Sequence, residues 1–234
     1  ALIVNTVHLP RGKNTDVLYV SGIEDVLLTG REPLTDYSKV ELNRIIDTGA
    51  NFTVATIRTP ASVMESLSDI HLKLPIIAMD GAVLYDLKDN RYLKTYSMSY
   101  NKAQKIIEIL REEDVNFFIN VVVEDVLIIY YHHLENEAET QIYKQMRKSP
   151  HRNYVRRNLP EGEEVAYFMM VDQTEKIQKI YERLKVKIHS QEYKMLCYAS
   201  KDYPGYSYIK IYDKDATRER MTKYLAEDMG IHKI

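Results

Sequence analysis

A rhythm in the first third of the chain narrows the fold most: short apolar runs alternate with stretches of helical period. Val17-Leu18-Tyr19-Val20, Phe52-Thr53-Val54-Ala55 and Pro75-Ile76-Ile77-Ala78-Met79 each have the length and composition of one buried strand. Between the first two, Thr35 or Asp36 can cap a helix with Val40, Ile45 and Ile46 near one face and Gly49 at its exit. Pro60 opens a second helix through about Leu67. Strands separated by helices pair in parallel, because the crossover helix carries the chain back to the starting edge of the sheet. The pattern predicts βαβαβ.

The pattern changes at Gly81. Ala82 to Asp86 and Arg91 to Tyr96 flank Lys88-Asp89-Asn90, a composition suited to a hairpin turn. A helix over Ser99 to Glu113 follows, with Ala103, Ile106, Ile107 and Leu110 on one face, then a hairpin of Phe117 to Val123 and Val126 to Tyr131. A charged helix spans Asn136 to Lys148, and Ser149 to Glu164 is a polar stretch. Val165 to Val171 reads as a strand, and Asp172 with Glu175 resembles a capping box opening a helix to Leu184. Strands at Val186 to His189 and Tyr193 to Ala199 close the section. After the Tyr203-Pro204-Gly205 turn, a strand over Tyr206 to Tyr212 and a helix over Asp215 to Asp228, ending at Gly230, are expected to resume the parallel sheet. The organisation is therefore a core at 1–82, an α+β insertion at 83–204 and a return to the core at 205–234. Leu2 to Val7 reads as an extra edge strand and Arg11 to Asn14 as a loop. A cleft between core and insertion is the expected place for a small ligand.

Composition limits the function. Thirty-two basic against 34 acidic residues give a formal charge of −2, so no broad positive field favours nucleic acid. No apolar run approaches the roughly 20 residues of a membrane helix, and Ala-Leu-Ile-Val-Asn lacks the pattern of a secretory signal. The single Cys197 excludes an intrachain disulfide, favours a reducing, cytoplasmic location, and is expected to be buried and inert. His132, His133 and Glu135 suggest a metal site, but adjacent strand residues face opposite ways, so a polar strand end is expected. Lys144, Arg147, Lys148, His151, Arg152, Arg156 and Arg157 form the main basic concentration, expected to be a solvated surface because no aromatic-rich RNA motif accompanies it. Tyrosines and methionines are expected to fill core and strand surfaces.

Three segments carry a resemblance: Leu18-Tyr19-Val20-Ser21-Gly22-Ile23-Glu24-Asp25-Val26-Leu27-Leu28, Ala55-Thr56-Ile57-Arg58-Thr59, and Asp80-Gly81-Ala82-Val83-Leu84-Tyr85-Asp86. In their order they resemble the haloacid dehalogenase superfamily, and within it the Cof-type sugar-phosphatase-like branch. The fold class this implies is α/β: a Rossmann-like parallel-sheet core with a large inserted α+β cap domain. In that family the first strand ends in Asp-x-Asp-Gly-Thr-Leu-Leu. The first aspartate attacks phosphorus, the second transfers the proton, and acidic groups hold magnesium.

Aligned on that strand and on Leu27-Leu28, this chain has Gly22 at the nucleophile position and Glu24 at the acid/base position, with Asp25 and Val26 replacing the glycine and threonine. The resemblance makes Ser21, Thr56, Arg58 and Arg218 the phosphate-binding candidates, with Arg218 in place of the family's lysine, and sets Asp80 and Gly81 in the cleft. Glu24 and Asp25 are the candidate magnesium ligands. The family's late Gly-Asp-x-x-x-Asp motif is absent, and the core reads as truncated at its C-terminus. The first strand's edge is then expected to be covered by residues 2–9 or by a partner, a second copy or another protein. Three readings follow: a phosphometabolite-binding or regulatory module without the catalytic aspartates; a Mg-dependent phosphatase of small phosphorylated metabolites using displaced carboxylates; or a structural assembly partner.

Overall fold

The computed structural model describes residues 16–23 and 36–234. They form two compact units: one runs up to Thr95 and resumes at Thr217–Ile234, and the other is Tyr96–Ala216, inserted between those segments.

The first unit holds β1 (Leu18–Gly22), α1 (Asp36–Asp47), β2 (Asn51–Ala55), α2 (Pro60–Val63), β3 (Ile76–Ala78), β4 (Val83–Asp86) and β5 (Arg91–Thr95), and closes with a late helix, Arg218–Asp228. The sheet order is β1-β2-β3-β4-β5; β1 to β3 are parallel and β3 to β5 antiparallel. This confirms the predicted βαβαβ start. It corrects the boundary at 83: the hairpin extends the first sheet, since Ile76, Ile77 and Ala78 pair with Tyr85, Leu84 and Val83. In α1 the buried residues are Ser38, Leu42, Ile45 and Ile46, whereas Val40 is 63% exposed, contrary to the expected face. Beside β1, Lys233 lies in a parallel bridge with Val17 and its carbonyl accepts from the Leu18 N–H at 2.9 Å, so this chain's own C-terminal segment pairs with that edge. The strand expected at residues 2–9 lies outside the described residues.

The second unit holds α3 (Tyr100–Glu112), β6 (Phe118–Val123), β7 (Val126–Tyr131), α4 (Glu137–Met146), β8 (Arg152–Arg156), β9 (Tyr167–Gln173), α5 (Thr174–Lys187), β10 (Tyr193–Ala199) and β11 (Tyr206–Asp213); the late helix of the first unit is α6. The order is β10-β11-β9-β6-β7-β8. One sheet face packs on α3 and α5 through Ile106, Leu110, Ile177, Ile180, Phe168 and Ile209. Four expectations are corrected here. Tyr206–Asp213 does not return to the first sheet but pairs antiparallel with β10 and β9. The strand expected at Val186 to His189 is the end of α5, where Val186 is 87% exposed on the helix surface. The polar stretch after Ser149 contains β8, parallel to β7. Asp172 lies within β9, one residue before its end, rather than capping α5, and its Oδ1 accepts from the Gln173 N–H.

Glu113 joins α3 to α5. Its side chain is 4% exposed and accepts from Arg183 Nε at 2.6 Å and Lys187 Nζ at 2.5 Å. Burial alone would raise its pKa, but the two cations outweigh burial and hold it below the usual carboxylate range. A lowered carboxyl pKa contributes stability above the unfolded value and loses it as pH falls through the folded one. Glu113→Gln is expected to cost about 1–2 kcal/mol at pH 7, less than a fully buried pair because both cations are largely solvated. In urea unfolding, the gap from wild type should narrow as pH falls below the usual carboxylate range; a gap unchanged from pH 7 to pH 3 would count against the ion-pair account.

Candidate ligand site at the carboxyl ends of the first sheet

Parallel β1, β2 and β3 bring their carboxyl ends to one edge, the place where open α/β sheets commonly present ligand-binding groups. Gly22 is the last residue of β1, exposed and in register with Ala55. One residue beyond, Thr56 is fully buried; its N–H donates to Ile77 O at 2.9 Å, and its Oγ1 accepts from the Arg58 N–H at 3.1 Å. The acceptor role leaves the threonine hydroxyl proton able to serve a ligand oxygen.

The turn after β3 interlocks with this segment. The Met79 N–H donates to Arg58 O and the Asp80 N–H to Thr56 O, both at 2.9 Å. Met79, Asp80 and Gly81 have φ of 49°, 53° and 100°, three consecutive residues on the left-handed side. Two of them carry side chains, an arrangement that costs free energy and holds only where the surroundings enforce it. Asp80 Oδ1 accepts from Arg218 Nε at 2.7 Å, with the side chains 16% and 34% exposed respectively. Arg218 begins α6, whose N-cap Thr217 accepts from the Arg220 N–H at 3.0 Å. Thr56, Arg58, Asp80 and Arg218 thus belong to one set of linked turns.

A profile of the haloacid dehalogenase-like hydrolases matches residues 20–234. The chain belongs to this family. A Bacillus subtilis haloacid dehalogenase-like hydrolase is similar in fold, with TM-score 0.64 and 15% identity over 92% of this chain and 79% of its own. A Bacteroides thetaiotaomicron haloacid dehalogenase-like hydrolase gives 0.65 and 13% over 92% and 77%. A structure described as a HAD subclass IIB sugar phosphatase gives 0.62 and 14% over 92% and 77%. The fold is thus the one that the Cof-type resemblance implied. A Mycoplasma pneumoniae protein provisionally named a phosphatase is 37% identical over 71 residues, which is 29% of this chain and 23% of that relative's length.

Of the residues predicted from the family motifs, Ser21 is not at the strand tip. It lies in register with Val54, is 5% exposed, and its hydroxyl has no hydrogen-bond partner among the described residues. Neighbouring strand residues face opposite sides, so Ser21 turns away from the side on which position 22 would project. Glu24, Asp25 and the Leu27-Leu28 pair lie outside the described residues. Gly81 is a packing residue: a Cβ there would lie 2.1 Å from the carbonyl carbon of Thr217. Asp80 and Arg218, both set at the site by the resemblance, meet in an ion pair across 138 residues that no local pattern predicts.

The family implies magnesium, but the described residues do not fit it. Magnesium takes near-octahedral oxygen ligands, usually including carboxylates. Gly22 offers no side chain, the Asp80 carboxylate is engaged by Arg218, and no group of three or more His, Cys, Asp or Glu among the described residues could hold a metal ion. His133 Nε2 pairs with Glu135 Oε1 at 2.6 Å in the exposed loop that follows β7. No helix among the described residues is long and apolar enough to cross a membrane.

Proposed function

We propose that the first unit binds a phosphorylated small molecule at the carboxyl ends of β1 to β3 without hydrolysing it by the family's covalent route, and that the inserted unit serves as its cap. The observation carrying this reading is Gly22, at the tip of β1 where the family resemblance puts the attacking carboxylate. Loss of a nucleophile costs on the order of 10⁶ in turnover in other covalent enzymes, more than retained binding groups can offset. Anion binding is supported by the Thr56 hydroxyl and by the Arg58 and Arg218 guanidinia, whose forked N–H groups match phosphate oxygens. A cytoplasmic phosphometabolite sensor or regulatory subunit would suit such a module.

The competing reading is a Mg-dependent phosphatase using Glu24 and Asp25, supported by family membership and by the name of the Mycoplasma relative. Calorimetry with inorganic phosphate and a release assay over a panel of phosphate esters separate the two. The expected result is phosphate binding weakened about tenfold by Arg58→Ala, with no Mg-dependent release. Turnover that Glu24→Gln abolishes would establish the phosphatase; failure to bind phosphate would remove the binding role.

A further inference from the structure

We propose that the inserted unit pairs with a second copy of this chain along β10, the two sheets joining edge to edge about a two-fold axis at Leu196. β10 ends its sheet, with β11 on one side and no strand on the other among the described residues. The Ser200 N–H donates to Tyr206 O at 2.9 Å and the Lys214 N–H to Glu192 O at 3.2 Å, each continuing the β10–β11 register. In an antiparallel ladder the two residues of such a pair turn both their amides and their carbonyls toward each other, and the next residues along turn theirs away. The even-numbered residues of β10 therefore face β11. Met195, Cys197 and Ala199 turn their backbone groups outward.

This edge has few of the devices that keep sheets apart. Its register with β11 is unbroken from Tyr193 to Ala199, it holds no proline, and its one charged side chain is Lys194. Met195, Leu196 and Cys197 are half-buried, whereas Ile209 and Ile211 of the neighbouring strand are fully buried. Outward backbone groups beside half-exposed apolar side chains are what an added strand covers.

The order of residues selects the occupant, because this edge matches itself. In an antiparallel pairing centred on Leu196, the outward groups of Met195 meet those of the partner's Cys197, and the Ala199 N–H meets the carbonyl of the partner's Tyr193. The Tyr193 N–H is engaged by His189 O at 3.0 Å, so this residue offers only its carbonyl. Lys194 falls opposite the partner's Tyr198, and the strand's charge does not meet itself. Leu196 falls opposite the partner's Leu196 in the closer, non-hydrogen-bonded kind of pair. Glu182 and Lys185 of α5, whose charges reach Cys197, pair with each other at 3.0 Å and leave the flank of the edge without a net charge.

The other strand ends lack this match. The β1 edge, expected to need a partner, pairs with Lys233. β5 carries Arg91 and Lys94 and a register shift against β4, both of which discourage edge pairing. On β8, a pairing centred on Tyr154 would set Arg152 opposite the partner's Arg156, like charge against like. These arginines belong to the basic concentration expected to be a solvated surface. Arg152 is instead 5% exposed, and Arg156 lies 5.7 Å from the Tyr131 ring centroid.

Sedimentation equilibrium of the whole chain over about 1–100 μM should show monomer and dimer in exchange, because a seam one strand long is of modest area. Leu196→Lys and Leu196→Glu each set like charges at the axis and should each weaken the dimer about tenfold or more, while an equimolar mixture of the two should associate again. Leu196 is half-buried, and circular dichroism checks that both variants fold. Should they unfold, Leu196→Cys with Cys197→Ser, which leaves one cysteine at the axis, should form a covalent dimer under oxidised glutathione. A monomer at every concentration, a dimer indifferent to both charged variants, a mixture that stays monomeric, or no covalent dimer would each overturn the assignment.

Discussion

Gly81→Ala is expected to be among the most destabilising single substitutions in the first unit. At a φ of +100° an L side chain is strained, and the new Cβ would stand 2.1 Å from Thr217 C, 2.3 Å from Thr217 O and 2.4 Å from Arg218 N. All three are backbone atoms, so no side-chain rotation relieves the overlap; α6 or the turn after β3 must move. The cost should exceed about 4 kcal/mol, a large share of the ~5–15 kcal/mol that holds a domain folded. Gly205 is the control: its φ is +85° but nothing lies within 4 Å of a Cβ there, so Gly205→Ala should cost only about 1 kcal/mol. Urea unfolding followed by circular dichroism measures both. A Gly81→Ala protein melting within a few degrees of wild type would mean that α6 is not seated on that glycine. The same contact matters for the site, because the first turn of α6 holds Arg218 against Asp80.

What was legible in the sequence follows from which signals are local. β3 is a continuous apolar run and β2 is broken only by Thr53 between Phe52 and Val54-Ala55, which suffices to identify buried parallel strands. The sequence of β11 argues against the expected place in the parallel sheet: Lys210 interrupts its apolar run, as a strand with one polar-bearing face would show and a doubly covered parallel strand would not. β8, Arg-Asn-Tyr-Val-Arg, has too little apolar character to be recognised, because its arginines and tyrosine lie on the aromatic face at the sheet edge. The hairpin of β4 and β5 was legible as a hairpin, but its attachment depends on Ile76 meeting Tyr85, a pairing that no local pattern encodes. At the site, Thr56 and Arg58 were candidates because the family motif after the second strand is contiguous in sequence. The resemblance also put Asp80 and Arg218 at the site, but their ion pair was not foreseen, since it depends on how the chain returns after the whole inserted unit. Cys197, expected to be buried, is half-buried against the helix-covered core, where burial pushes its thiol pKa up.

The largest polar effect is expected at Asp213. The chain enters the inserted unit at Tyr96 and leaves it at Ala216, and just inside these limits Lys102 Nζ meets Asp213 Oδ1 at 2.5 Å and Glu192 O at 2.8 Å. The Tyr193 hydroxyl donates to Lys102 O at 2.9 Å, and Asp213 Oδ2 accepts from the Asp215 N–H at 3.0 Å, so the entering and leaving segments are fastened to each other. The Lys102 and Asp213 side chains are 22% and 10% exposed. Asp213→Ala removes the nearer carboxylate from a mostly buried ammonium that keeps Glu192 O at 2.8 Å and Glu192 Oε2 at 3.5 Å, and should cost about 2 kcal/mol, whereas Lys102→Met with Asp213→Leu, which removes both charges, should recover much of that loss. Burial alone would lower the Lys102 pKa, but the hydrogen bond and charge of Asp213, with Glu192, outweigh it and raise the pKa above the ordinary lysine value. A raised lysine pKa contributes stability that is fully present below the unfolded value near 10.4 and is lost as pH rises through the folded one. The wild-type advantage over the double variant should therefore hold from pH 7 to pH 9 and decline above about pH 10. Equal stability of Asp213→Ala and wild type in urea would show that this junction is held by packing alone, with the ion pair adding nothing.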